Sequence, residues 1–302
     1  MEKILKSLIS KINNNEQDSI ILNDLSNKKI KIDKSKFNKI NFINSNKKIS
    51  FIDGGNLEII KSPSISLFFN RIYYSTYQNN KRVENKQIEF FTLISTINKN
   101  DIIYYKTEYE FINGYLDLQE YEFNSFDKLL ITNNKRANIS LVGNIIRRFS
   151  ELLFTKQIIS DYIVLDGSLE ITYPFEEELI NNLNKNKIYG LSKTNKLITQ
   201  SGNSIIPILH NLSTLNIWSY DFSHSNFYSY FVKLHKNSKY IFRFDSFQNE
   251  MNNEIFSLLV NNSSDPIFLG YPYGLIDADK FARVTKNEQE MLFTKIKMKK
   301  EF

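Results

Sequence analysis

The sequence predicts an α/β protein built on a mixed sheet flanked by helices. Three observations carry this expectation. Runs rich in β-branched and aromatic residues, KKISFID, SISLFFNRIYYSTY, KQIEFFTLISTI and DIIYYKTEYEFI, follow one another with polar Asn- and Lys-containing connectors, the pattern of an antiparallel meander. The next stretch, SLVGNIIRRFSELLF, repeats Ile145, Ile146, Phe149, Leu152 and Leu153 at helical period. Beyond it, strand-like and helix-like segments alternate.

Taken in order, residues 1–47 stand apart. Ile4, Leu5, Leu8, Ile9 and Ile12 recur at helical spacing and are followed by lysine-rich polar sequence, which reads as an N-terminal helix and an irregular arm. Such an arm is either a docking or dimerisation element or a capping helix with a solvated loop. Residues 48–302 read as one domain. After the meander and its helix, DYIVLDG is a buried strand and TYPFEEELINNLN a helix with Pro174 in its opening turn. KIYGLSK is a strand, YSYFVKL and KYIFRFD form a hairpin, and NEIFSLLVNNS is a helix. The stretch LIDADKFARVTKNEQEMLFTKI is one closing helix after Pro272. This is the element order of an RNase H-like core with an insertion before its C-terminal helix.

Composition bounds the chemistry. The 302 residues, 41% hydrophobic and 14% aromatic, are ample for a packed core. With no cysteine, disulfides, thiolate metal sites and cysteine nucleophiles are excluded. His210, His224 and His235 are the only histidines, which argues against a histidine-rich metal centre. No apolar run reaches the length of a membrane span, and lysines run through the N-terminal segment without a small-residue cleavage site, so a cytoplasmic protein with no membrane contact is expected. The net charge of +6 fits a polyanionic partner, and fits equally the Asn- and Lys-rich usage of an AT-rich genome.

Four acidic residues carry the functional expectation. Asp53 and Asp166 each end a predicted strand and each precede glycine. In an RNase H-like order the first and fourth strands lie side by side and parallel, so these two carboxylates become neighbours. An Asp-Gly after a single strand is ordinarily a turn, whereas two copies on the two adjacent strands point to a site. Glu151 lies on the long helix, where it is an ion-pair partner for Arg147 or Arg148 or a third site carboxylate. Asp279 lies on the closing helix with Arg283 one turn on, and Asp277 is the competing candidate nearer the helix start. Carboxylates gathered at one point repel and are costly to bury unless a divalent cation neutralises them, which suggests a metal-dependent phosphodiesterase.

IDGG at Asp53, the helix bearing Glu151, VLDGSL at Asp166, YGLSK ending at Lys193 and YPYGLIDADKFARV together resemble the NurA nuclease family of archaea and some bacteria. The resemblance spans roughly residues 48–290. It implies an RNase H-like fold, a Mn²⁺- or Mg²⁺-dependent DNase cutting single strands and resecting 5′ ends, a homodimer, and partnership with a HerA-type hexameric translocase in DNA end resection. It further implies that Asp53, Glu151, Asp166 and Asp279 hold metal, with Tyr271 close by; Asp279 stands where some members carry histidine. Two ions so held would bridge a phosphate, one activating the attacking water and one stabilising the leaving oxygen. Lys193, Arg243 and Arg71 are candidate phosphate contacts, and Tyr273 beside Tyr271 is a candidate base-stacking ring. The alternatives are a non-catalytic DNA-guiding subunit of a translocase complex and another RNase H-like nuclease such as a resolvase.

Overall fold

The computed structural model describes residues 2, 4, 19–21, 29–193, 197–223, 228–248 and 253–299. Their strands begin with β1 (Ser19–Ile21), β2 (Lys29–Lys31) and β3 (Phe37–Lys39), then β4 (Ile49–Lys61), β5 (Ile65–Gln78), β6 (Lys81–Lys99), β7 (Ile102–Asn113) and β8 (Glu122–Asn124). Helix α1 (Ser140–Phe154), β9 (Tyr162–Asp166), α2 (Glu176–Asn181) and β10 (Ile188–Ser192) follow. Then come β11 (Ile198–Thr199), α3 (Ile205–Leu212), β12 (Trp218–Asp221), β13 (Tyr228–Lys233) and β14 (Phe242–Ser246). Helices α4 (Asn253–Asn262), α5 (Tyr273–Ala282) and α6 (Lys286–Lys299) close the order. The chain divides into two units: residues 46–189 with 274–302, and residues 1–45 with 190–273.

In the first of these units the strand order is β10, β9, β4, β5, β6, β7, β8, with β10 crossing into the division at Tyr189. The meander is as expected. Its two tight turns are Asn79-Asn80 and Asn100-Asp101, all four residues at positive φ, the backbone that two-residue hairpin loops demand and that Asn and Asp tolerate. β9 pairs with β4 in parallel, Ile49 opposite Tyr162 and Ile52 opposite Leu165. Helix α1 buries Ile145, Ile146, Phe149 and Leu152 completely and packs on β4, β5 and β6. This is the RNase H-like arrangement.

Two local expectations fail for identifiable reasons. β4 does not end at Asp53; it runs straight on through Gly54 and Gly55 to Lys61, paired along its length with β5. The closing helix is two helices. Thr285 receives the Glu288 amide on its hydroxyl while its own amide donates to Glu288 Oε2, 2.8 Å, and this reciprocal cap starts α6 afresh.

In the second unit residues 29–45 are not an irregular arm. β1 pairs with β2 and with β11, and β3 pairs with β12. Ile20 and Ile32 are buried with Trp218, Tyr220, Phe222 and Phe231, so the lysine-rich segment alternates apolar residues into a core made by sequence nearly 200 positions away. β12, β13 and β14 form an antiparallel run as the hairpin predicts. Of the expected N-terminal helix, Glu2 and Ile4 are helical, and the remainder lies outside the described residues.

Helix α6 is tied to β5 by Arg71, which donates to Glu288 Oε1 at 2.7 Å, to Glu89 Oε1 at 2.7 Å and to the Arg283 carbonyl at 3.1 Å. The hydrogen bond from Arg71, more than any other cause, holds the Glu288 carboxyl down from 4.5 to about 2. A depressed carboxylate contributes stability that is complete above its unfolded value and lost as pH falls through its folded one. Melting temperatures taken from pH 5 down to pH 2 should therefore fall less steeply for Glu288→Gln than for the parent protein, and equal slopes would show that this tie contributes nothing.

Candidate active site

Asp53 and Asp166 enter the site from neighbouring parallel strands. Asp166 ends β9, where Gly167 at φ +126° turns the chain away, as the Asp-Gly pair predicts. Around Asp53 the glycines serve a different purpose. A Cβ on Gly54 would stand 2.6 Å from Glu151 Oε1, and one on Gly55 would stand 2.1 Å from the carbonyl oxygen of Ala282. Side chains alternate along a strand, so Gly54 opens one face of β4 to α1 and Gly55 opens the other to the end of α5. Asp53 itself is 9% exposed, with Oδ1 accepting from the Gly54 amide at 2.7 Å.

Glu151, 2% exposed, reaches this point from α1. The ion pair with Arg147 one turn back and a site carboxylate are not alternatives here, because Glu151 is both. Arg147 Nη1 donates to Glu151 Oε1 and to the Gly54 carbonyl at 2.9 Å, and lies 3.9 Å from Asp53 Oδ1. Arg148 Nη1 stands 3.8 Å from Glu151 Oε2. Burial first, then the charges of Glu151 and Asp166, push Asp53 up from 3.8 to about 8. Glu151 is likewise pushed up, by burial above all and by Asp166, against the pull of Arg147 and Arg148.

The support behind these groups comes from Arg148 and Glu176. Arg148 Nη2 donates to the Ser168 carbonyl at 2.8 Å, and its Nε to Glu176 Oε1 at 3.1 Å. Glu176, fully buried, accepts the amides of Thr172 and Tyr173 on its other oxygen. The turn after Asp166 is thereby fastened to the helix that carries Glu151. The Arg147-Arg148 pair one turn before Glu151 was the visible signal; Glu176 reads from sequence as an ordinary first-turn charge.

Asp277 and Asp279 part company on α5. Gly274, Ala278 and Ala282 recur every four residues on the side facing the sheet, with Ala278 and Ala282 against Tyr73. On one flank Phe281 stacks on Tyr73, and Asp277, 4% exposed, accepts from Tyr77 Oη at 3.0 Å and Arg82 Nη1 at 3.0 Å. Asp279 stands on the opposite flank, partly exposed, and accepts from Arg283 Nη2 at 2.7 Å.

The remaining candidates are placed differently from one another. Arg71 spends its guanidinium on Glu89, Glu288 and the Arg283 carbonyl, which corrects its reading as a phosphate contact. Arg243, in the second unit, is 7% exposed and donates to Asp245 Oδ1 at 2.8 Å inside that unit's core, so it too presents no charge to a nucleic acid. Lys193 and Tyr271 come together in the same unit, Nζ standing 4.7 Å from the ring centroid. Tyr271 is 6% exposed and packs on Phe242, whereas Tyr273 is 43% exposed.

Among the described residues, no group of three or more acidic or histidine side chains is arranged to hold a metal ion as it stands. The chemistry of the donor set nevertheless fits one: Asp53, Glu151 and Asp166 all offer hard oxygen ligands, and burial together with the charges of Glu151 and Asp166 disfavours the ionised form of Asp53, which a Mg²⁺ or Mn²⁺ ion would favour. Glu151 is engaged by the Arg147 guanidinium.

The fold defines the class: a mixed α/β sheet of the RNase H-like type. Among solved structures, the NurA nuclease from Sulfolobus solfataricus matches with a TM-score of 0.58 at 13% identity, over 99% of this chain and 93% of that one. Endonuclease V of Ciona intestinalis, in complex with a 23mer DNA containing an inosine, matches with a TM-score of 0.44 at 11% identity, over 82% and 86%. The catalytic domain of human endonuclease V gives 0.39 at 9% identity, over 83% and 84%. No protein-family model and no curated protein matches the sequence. At 13% identity the likeness to NurA is one of fold.

No helix in the described residues is long and apolar enough to cross a membrane. For the two aspartates of α5, the burial difference sets opposite outcomes on stability. Asp277→Ala strips Arg82 and Tyr77 of their acceptor and should cost about 2 kcal/mol by chemical denaturation, whereas exposed Asp279→Ala should cost less than about 0.5 kcal/mol.

Proposed function

We propose that this protein is a metal-dependent deoxyribonuclease that hydrolyses the phosphodiester bonds of linear DNA. The observation that carries the reading is the burial of Asp53 beside Glu151 and Asp166, with the Asp53 carboxyl pushed to about 8. Burying like charges together weakens a fold unless a cation is to be bound there. The likeness to the NurA nuclease fold supports the same reading.

In this reading Asp53 and Asp166 are the principal ligands of Mn²⁺ or Mg²⁺, two ions being the expected number, with Glu151 and Asp279 closing the two sides. Asp279 is preferred to Asp277 because Asp277 is committed to Tyr77 and Arg82. The bound ions supply a Lewis acid and a water acidic enough to attack phosphorus near neutral pH. The chain's own groups do the rest. Asp53 must give up its proton when the site is loaded, and Arg148 with Glu176 holds the Asp166 turn against α1 so that the carboxylates keep their spacing. Tyr273 offers a ring to a single-strand base and Lys193 a charge to a phosphate. The finer reading follows the NurA resemblance: single-strand endonuclease and 5′-3′ exonuclease activity, a homodimer, and work at DNA ends with a HerA-type hexameric ATPase.

One observation favours a second reading, a non-catalytic DNA-guiding subunit: Arg147 sits on Glu151 where a catalytic site would offer a free carboxylate. Digestion of linear single-stranded DNA separates the two. With Mn²⁺ the protein should degrade it, EDTA should stop the reaction, and Asp53→Asn or Asp166→Asn should remove at least about 99% of the rate with the melting curve retained. Asp279→Ala should reduce the rate far more than Asp277→Ala does once folded fractions are matched. Full activity in EDTA, or undiminished activity in both Asn variants, would overturn the metal mechanism; no digestion under any metal would leave the guiding subunit.

A further inference from the structure

We infer that Arg147 is a built-in counterion that competes with the divalent cation for Glu151, so that loading the site is an exchange of guanidinium for metal; this rests on the metal reading above. A single nitrogen, Nη1, donates to Glu151 Oε1 and to the Gly54 carbonyl at 2.9 Å and stands 3.9 Å from Asp53 Oδ1. It therefore takes up the position from which one positive charge serves both buried carboxylates. A guanidinium does not deprotonate in proteins, so it cannot yield to a cation by losing its charge. It can yield only by moving. Movement is open to it, because the Arg147 side chain is 30% exposed while Glu151 is 2% exposed.

The surroundings make the exchange feasible without unfolding. Arg148 stays on the far side of Glu151, at 3.8 Å from Oε2, anchored by Glu176 and the Ser168 carbonyl, so α1 keeps its place when Arg147 leaves. The absent side chain at Gly54 is what admits the pair: a Cβ there would lie 2.6 Å from Glu151 Oε1 and 3.0 Å from Arg147 Cγ. A salt bridge whose purpose was stability alone would sit better where its desolvation is shared by fewer like charges. Here its single positive charge does the electrostatic work that a cation held by these carboxylates would do.

The exchange is read by calorimetric titration of the metal-free full chain with Mn²⁺ alone, without DNA, for the parent protein and for Arg147→Met. The variant should bind Mn²⁺ at least about tenfold more tightly, since the competing charge is gone. It should also melt lower without metal and gain more from Mn²⁺ than the parent. Arg147→Gln, which keeps polarity and loses the charge, should show the same gain, and serves if the Met variant does not fold. Arg147→Lys should remain near the parent affinity. Equal or weaker Mn²⁺ binding by the uncharged variants overturns the exchange, because a merely structural arginine would leave a weakened site. Absence of Mn²⁺ binding whatever residue stands at position 147 overturns the metal reading itself.

Discussion

Two buried carboxylates, Asp53 and Glu151, with half-buried Asp166 beside them where β4 and β9 run parallel, are the constraint on which the larger unit depends. Like charges out of water must be protonated, paired with a guanidinium or bound to a cation. Asp53 is pushed up to about 8, and Glu151 is covered by Arg147 and Arg148. The parallel pairing is what creates the problem. It brings Ile52 opposite Leu165, one residue short of Asp53 and Asp166, so the two acids advance past the paired residues together. On its other edge β4 meets antiparallel β5, which sets Tyr73 rather than an acid opposite Asp53.

The tripeptide Asp53-Gly54-Gly55 solves a packing problem as much as a chemical one. Residues of opposite parity face opposite sides of a sheet, so Asp53 and Gly55 share the face covered by α5 while Gly54 lies under α1. With no side chain at either glycine, both helices close on the strand at the level of the carboxylate. Glu151 arrives from one face and the C-terminal end of α5 from the other. A helix held off by even one methyl group would separate Glu151 from Asp53 and remove the coupling between them.

Much of this was legible in the sequence because it depends on local chemistry. Asn79-Asn80 and Asn100-Asp101 announce hairpins, the spacing of Ile145, Phe149 and Leu152 announces a helix face, and two strand-Asp-Gly copies announce neighbouring strands. What was not legible depends on partners remote in sequence. A lysine-rich segment such as KIKID looks solvated until Trp218 and Tyr220 are known to cover its isoleucines. Gly54 and Gly55 look like a turn because sequence records the absence of a side chain and not the helix that needs the space. Arg71 and Arg243 look like phosphate contacts because their acceptors, Glu288 for one and Asp245 for the other, are chosen by tertiary packing or by a strand neighbour two residues on. The NurA resemblance anticipated the fold, and not the arginines that hold Glu151 and the Asp166 turn.

The arginines follow a rule of their own. Glu151 and Asp279 each have a guanidinium four residues away in sequence: Arg147 one turn back on α1 for Glu151, and Arg283 just past the end of α5 for Asp279. Such a pair needs no partner remote in sequence. The strand-borne aspartates cannot be served this way, because residues four apart on a strand lie about 13 Å from one another. Asp53 must borrow charge across the fold, and the guanidinium nearest to it, at 3.9 Å, is already engaged with Glu151. This explains why Asp53, despite that guanidinium, is pushed up to about 8 by its burial and by the charges of Glu151 and Asp166. It also explains why Asp277, two residues from Asp279, takes a different part: about 200° around the helix from its neighbour, it meets Arg82 and Tyr77 and is neutralised by the sheet. Asp279, on the other flank, pairs with Arg283 just past the end of α5, a local pair that involves no residue of the sheet.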